Sequence, residues 1–235
     1  MIKITGLFLT AMLVLSPAVH AWELEGLGNY QFEQLNSGAY VMHGPLGEPS
    51  KKNQGFMNNP GFIVSDNGII VVDPGSTYQV GKQVLKEIEK VSEKPVIAVF
   101  NTHIHGDHWL GNHAFQEKYP ELKIYAHPAM IQQASGEGGI EWLGRMSRMT
   151  EGLSDDTKIV VPQFAVDKSE VIEVDAQHFR IHAFVPAHTN TDIMIEHVES
   201  KTLFLGDNCF EGRIGRFDGS ASMLGNIKAL AYAAE

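Results

Sequence analysis

Apolar residues along the first half of the chain recur in two rhythms. Short runs rich in β-branched residues, Tyr40 to Met42, Phe62 to Val64 and Gly68 to Val72, lie between turn residues and predict strands. The last two meet across Ser65-Asp66-Asn67-Gly68 as a hairpin. From Tyr78 to Ser92 the rhythm changes, with Val80, Val84, Leu85, Ile88 and Val91 on one helical face and Lys94-Pro95 closing the segment. Next come a buried-strand run from Val96 to Phe100, a histidine-rich loop, a helix from Trp109 to Tyr119 and a strand over Lys123 to Ala126. This half mixes strands with crossover helices.

Between Ser135 and Lys158 the pattern weakens. Gly136, Gly138, Gly139, Gly144 and Gly152 are interspersed with Trp142, Met146 and Met149, the composition of a partly helical, mobile insertion. Those three large side chains suit a cover over a site, although ordinary packing is the plainer reading. Beyond it, Val171 to Val174, Phe179 to Val185, Ile193 to Val198 and Thr202 to Leu205 are strand-sized and separated by turns, which predicts a β-meander. Ser220 to Glu235 is rich in Ala and Leu and reads as a helix.

Composition narrows the classes of function. At 235 residues, with 43% hydrophobic and 20% charged, the chain has the make-up of one globular catalytic domain. That domain is expected over residues 22–235. Residues 1–21 read as a secretory leader: Lys3, an apolar run from Leu7 to Leu15, then Val19-His20-Ala21 with small residues at a cleavage point. The run is shorter than the roughly 20 residues a membrane span needs, so no stable membrane insertion is expected after the leader is removed. A periplasmic or secreted location follows. The formal net charge is −10, and losing Lys3 with the leader makes it more negative. An acidic chain without a Lys/Arg-rich run is a poor partner for nucleic acid, leaving a small-molecule substrate as the expectation. With Cys209 as the single cysteine, no internal disulfide forms.

The densest chemistry is His103-Ile104-His105-Gly106-Asp107-His108, directly after the run Val96 to Phe100. A loop leaving a strand end aims alternate side chains to one side, so that His103 and His105 share one cation while Asp107 and His108 face a second. Imidazole and carboxylate ligands suit zinc best among common divalent ions, though iron and manganese accept the same set.

HxHxDH after a strand resembles the signature motif of the metallo-β-lactamase superfamily. Three further segments resemble that family's motifs in order: Val71-Val72-Asp73-Pro74-Gly75, Pro186-Ala187-His188-Thr189 and Gly206-Asp207. Within the family, the phrases from Asn59 to Gly75 and from Gly206 to Gly219 look most like zinc metallohydrolases associated with periplasmic quinoprotein systems. The resemblance implies an α/β fold, a four-layer αββα sandwich with metals at one edge. It implies a first zinc on His103, His105 and His188 and, in the complete domain, a second on Asp107, His108 and Asp207, with Asp207 bridging. Asp73 is implied as a partner holding a ligating imidazole. Asp107 is also implied in catalysis, orienting the nucleophile in the hydrolysis of an ester, thioester or lactam. A bridging aspartate resembles the thioesterase-like branches more than true lactamases. The family also supplies a last histidine beyond the helix after the bridging aspartate. No histidine follows His197, so the catalytic domain is expected to be C-terminally incomplete.

Two other readings compete. One is a mononuclear iron enzyme oxidising persulfides, because some members of the superfamily hold iron with similar ligands. The other is a non-catalytic zinc-binding module. His43, His113, His127, His178, His182 and His197 are scattered and read as non-ligands, and Cys209 as a buried, inert thiol. Arg213 and Arg216 follow Asp207 closely enough to meet an anionic substrate, although a solvated surface is the simpler expectation.

Overall fold

Alternation within neighbouring strands divides the core in two. The computed structural model describes residues 30–36 and 38–235, and the leader expected over residues 1–21 lies outside them. The hairpin of β3 (Gly61–Val64) and β4 (Ile69–Val72) runs beside β5 (Val96–Phe100), which pairs parallel to β4. Ile69, Val71 and Val99 point to one face, while Ile70, Val72, Ala98 and Phe100 point to the other. All seven are buried, so these strands carry apolar side chains on both sides, as covered sheets require.

The first face is covered by α1 (Tyr78–Val91) and α3 (Asn112–Lys118). Helix α1 begins where Thr77 accepts a hydrogen bond from Val80 N at 3.1 Å, satisfying one of the free amides of the first turn. It buries Val80, Val84, Leu85 and Ile88. The second face meets another sheet built from β8 (Val171–Val174), β9 (Gln177–Ala183), β10 (Ile193–His197) and β11 (Thr202–Phe204). Along β9, Phe179, Ile181 and Ala183 turn inward, and His178, Arg180 and His182 turn outward. Outside that sheet lies α6 (Met223–Ala233), whose Tyr232 hydroxyl sits 2.9 Å from His182 Nδ1. The order helix, sheet, sheet, helix is the four-layer sandwich expected.

Among the described residues, β1 (Glu33–Asn36), β2 (Ala39–Val41), β6 (Lys123–Ala126) and β7 (Phe164–Ala165) complete the larger sheet, in the order β1 to β7. The smaller sheet is an antiparallel meander in the order β11-β10-β9-β8.

Two local expectations are revised. The helix expected from Trp109 to Tyr119 is two pieces, α2 (Gly106–Trp109) and α3, with the first already inside the histidine-rich segment. The glycine-rich stretch is more regular than its composition suggests, forming α4 (Pro128–Ala134) and α5 (Glu137–Met149). A Cβ at Gly139 would lie 2.2 Å from the Ala134 carbonyl oxygen, so this glycine permits close approach of the two helices. Met146 is buried with Ile104, Trp109 and Met130, which packs α5 onto the edge of the sheet that carries the site.

Candidate metal centre

The chemistry collects where strands of both sheets end. After β5 the chain passes through Asn101 and Thr102 to His103, and His105 stands extended at the N-terminal boundary of α2. Asp107 and His108 then occupy the helical turn itself, so helical geometry, rather than alternation in a loop, separates them from His103 and His105. His188 follows β9, and Asp207 sits in a 3₁₀ turn, Gly206–Asn208, after β11. Gly206 has φ +55° and its absent Cβ would fall 2.9 Å from the Thr102 side chain. Only glycine combines that left-handed backbone with so close an approach.

Two hydrogen bonds stitch the ligand-bearing segments of the two sheets together. Ile104 N donates to Thr191 Oγ1 at 3.0 Å, and Ile193 N donates to Thr102 O at 2.9 Å.

Every metal-ligating residue read from the sequence arrives in one of two clusters. His103, His105, His188 and Asp207 form the first, and Asp107, His108 and Asp207 the second, with candidate ligand atoms within 4.8 Å of one another in each. His188 Nε2 lies 3.0 Å from His105 Nδ1 and 3.5 Å from Asp207 Oδ2. His108 Nε2 lies 3.1 Å from Asp207 Oδ1 and 3.2 Å from Asp107 Oδ2. The two oxygens of Asp207 thus serve different clusters.

Asp73 stands behind His108. Its Oδ2 is 2.7 Å from His108 Nδ1 and accepts from Thr102 Oγ1 at 2.7 Å, while Oδ1 accepts from Thr102 N at 2.8 Å. A residue with three such contacts is held in one rotamer and fixes the ring it touches. Asp73 adopts φ +54°, a left-handed conformation that aspartate tolerates better than most residues.

The electrostatics call for a cation. Burial holds His103 well below the ordinary histidine range and His188 down at about 4, leaving neutral rings with free lone pairs. Burial also opposes charge on His108, yet Asp207, Asp107 and Asp73 together raise it well above the ordinary value. Burial likewise pushes the Asp107 carboxyl up, but the neighbouring His108 outweighs this and holds it at about 2. The second cluster therefore gathers carboxylates around a positive charge. His103 Nε2 and His188 Nδ1 are buried without a hydrogen-bond partner, and His108 Nε2, although 3.1 Å and 3.2 Å from two carboxylate oxygens, makes no well-aligned hydrogen bond. Orphaned buried nitrogens cost about 1–3 kcal/mol each. For His103 and His108 a cation in the clusters would relieve that cost, so the donor set fits one.

Asp192 was not singled out by the sequence reading. It is buried, and it accepts from Thr189 N at 2.6 Å and Thr189 Oγ1 at 3.0 Å. Thr189 Oγ1 lies 2.9 Å from Thr191 Oγ1, the acceptor for Ile104 N, so a polar chain runs from Asp192 to the backbone between His103 and His105. Burial pushes the Asp192 carboxyl up to about 7 against the hydrogen bonds from Thr189. The available signal was the spacing Thr189-x-x-Asp192, which closes a turn through side chains. Asp192→Ala is expected to lower stability by about 1–3 kcal/mol, the penalty for stranding buried donors. It should also weaken binding of a divalent ion such as zinc about 10–100-fold, as loss of an orienting contact does. Competition against a chromophoric chelator measures the affinity, and an unchanged value would remove Asp192 from the positioning role.

The other histidines among the described residues have partners elsewhere. His43 lies 3.0 Å from Glu33, His127 caps α4 through Ala129 N, His178 lies 2.6 Å from Glu199, and His197 sits between Ser200 and Gln177. His113 accepts from Lys158 N, and His182 joins Glu196 and Tyr232. Cys209 is exposed rather than buried, because it lies past the 3₁₀ turn on the outer segment. The clusters open into a surface pocket that His105, Asp107, His188 and Asp207 help to line. Trp142 and Met149 line it, with the Trp142 ring 4.8 Å from that of His105, whereas Met146 belongs to the core.

Comparison with known proteins adds sequence and fold relatives. The sequence model of the Metallo-beta-lactamase superfamily matches residues 53–233. A hydroxyacylglutathione hydrolase of Nostoc punctiforme is 32% identical over 172 residues, which make up 69% of this chain and 55% of that protein. A linear primary-alkylsulfatase of a Pseudomonas species is 34% identical over 97 residues, 40% of this chain and 18% of that enzyme. The chain thus spans about half the length of the first of these relatives and less of the second. Among solved structures, a metallo-beta-lactamase from Pontibacter korlensis superposes with a TM-score of 0.65 at 13% identity, covering 87% of this chain and 84% of that one. At that identity the likeness is one of fold.

Proposed function

The chain belongs to the metallo-β-lactamase superfamily, and from that membership we propose that it is an exported, zinc-dependent hydrolase of ester or thioester bonds. The observation that carries this reading is the division of the Asp207 carboxylate, Oδ1 toward His108 and Oδ2 toward His188, which suits a pair of cations sharing one bridging residue. His103, His105 and His188 would hold one ion; Asp107, His108 and Asp207 would hold the other. Three imidazoles with a carboxylate favour zinc among the common divalent ions. When bound, such ions polarise a carbonyl and lower the pKa of water toward about 7.

The chain's own residues supply the rest. Asp107 lines the pocket and is ionised well below neutrality, so its carboxylate is available to accept a hydrogen bond from attacking water and orient it. Asp73 fixes the His108 ring. Trp142 shields His105 from bulk solvent. The name of the Nostoc relative supports hydrolysis of an acylated thiol, and that of the alkylsulfatase supports hydrolysis within this family more widely. Export rests on the leader read over residues 1–21 and is tested by fractionation of the producing cell.

Metal analysis of protein made without added metal, combined with turnover of a chromogenic thioester, tests the function. Zinc in preference to iron, together with thioester cleavage, is the expected result. Iron in place of zinc, with oxygen consumption on a persulfide, would replace hydrolysis with the oxygenase reading.

A further inference from the structure

The cations around the pocket are chosen unevenly. The chain has five arginines and thirteen lysines, and three of the arginines, Arg145, Arg213 and Arg216, line the pocket, while no lysine does. An arginine fork matches the two oxygens of an oxyanion, whereas lysine offers a point charge. In a chain of net charge −10 this gathering runs against the overall field.

Two of the three arginines are held by the same device. The Arg145 guanidinium lies 4.5 Å from the Trp142 ring centroid, and Trp142 lies 4.8 Å from His105. On the other side, Arg213 lies 4.3 Å from the Phe210 centroid, and Phe210 lies 5.8 Å from His188. Each guanidinium is therefore one aromatic ring removed from a residue of the first cluster. That distance leaves room for the reacting bond at the cluster and a charged group at the rim.

These arginines are available. Among the described residues neither Arg213 nor Arg216 has a carboxylate within 4 Å, and Arg145 meets only Glu141 of its own helix, at 3.4 Å. The acids on the same walls are engaged, Asp107 and Asp207 with His108, and Asp218 with Ser220 and His105. Glu48 stands exposed on the rim. Between the arginines, Met57 and Met149 offer apolar, adaptable surface.

We propose that Arg145, Arg213 and Arg216 select a substrate that carries an oxyanion, a carboxylate or a sulfo group, joined through an apolar body to the bond that is cleaved. This rests on the hydrolase reading for the cleavage but not for the binding. The two are separated by a ligand that is not hydrolysed.

Calorimetric titration of the zinc-loaded protein with hexane-1-sulfonate and with hexan-1-ol measures binding alone. The sulfonate should bind and weaken as salt is added, and the alcohol should bind far less well. In the triple variant Arg145→Gln, Arg213→Gln, Arg216→Gln, sulfonate affinity should fall on the order of 10–100-fold or more, with zinc content and melting temperature unchanged. In parallel, two thioesters alike except for a carboxylate or its primary amide on the thiol side are compared. The triple variant should raise KM for the carboxylate and leave the amide unaltered. Equal sulfonate affinity in wild type and variant would overturn the proposal, as would equal binding of sulfonate and alcohol. Failure of both thioesters to react would overturn the hydrolase reading while the sulfonate titration still decides the anion site.

Discussion

A chain carrying His103→Ala and His105→Ala is expected to fold and to purify nearly free of zinc. Both side chains follow the end of β5, and the apolar clusters on the two faces of the larger sheet are built without them. The loss of buried ring volume costs stability, but the orphaned Nε2 of His103 and its penalty disappear with it. What remains of the first cluster is His188 and Asp207, too few ligands to hold an ion against water. Zinc should raise the stability of the wild-type chain by about 4 kcal/mol at a thousandfold excess over its dissociation constant, and that of the variant not at all. Thermal melts across a zinc titration, alongside metal analysis, read both effects. Thioester turnover should fall on the order of 1,000-fold or more, beyond the loss of a single transition-state contact. Wild-type zinc stoichiometry in a folded double variant would show that these histidines are not the ligands.

Asp107→Asn should produce the second largest loss. The side chain keeps its shape in the first turn of α2, but a neutral amide replaces a buried carboxylate held at about 2. His108 then loses one of the charges that gather around it, and the second cluster retains a single carboxylate in Asp207. Hydrolysis should drop on the order of 100-fold or more, with zinc content moving from two ions toward one. Unchanged rates at unchanged metal content would remove Asp107 from the mechanism. A loss of rate with both ions retained would assign it to orienting water alone.

The parts of this molecule that periodicity encodes were readable, and those that depend on distant contacts were not. Val80, Val84, Leu85 and Ile88 mark α1 because a helix with one buried face must repeat in that way, and the paired rhythm of Phe62 to Val72 marks the hairpin. The ligand segments were legible through resemblance, since each sits at a strand end that the apolar runs had already located. Asp192 was not, because its importance lies in a polar chain to Ile104, 87 positions from Thr191, that no local pattern reports. Helix α5 was blurred for a related reason. Its glycines lower local helix propensity, yet Gly139 is there to let α4 approach, and packing of Met146 outweighs the propensity cost. Arg145 was overlooked because an arginine on a helix is usually solvated, and only the position of Trp142 turns it toward the pocket.

The two stitches between Thr102–Ile104 and Thr191–Ile193 have a consequence for the order of events in folding. His105 and His188 are 83 positions apart, and closing a segment of that length costs about 4 kcal/mol of chain entropy before any contact rewards it. That cost must be met by docking the two sheets, since neither half alone presents a complete set of ligands. On the proposed assignment, an emerging chain could not assemble the ligands of the first ion until His188 has been synthesised and β9 has docked on the larger sheet. An ion held by these ligands would therefore bind after the sheets dock and contribute little to crossing the folding barrier. Its influence would fall on the reverse step, where the ion would have to be surrendered before the halves part. Such an ion would act as a latch on a closed fold, so its scarcity would shorten the lifetime of the folded chain far more than it would delay its birth.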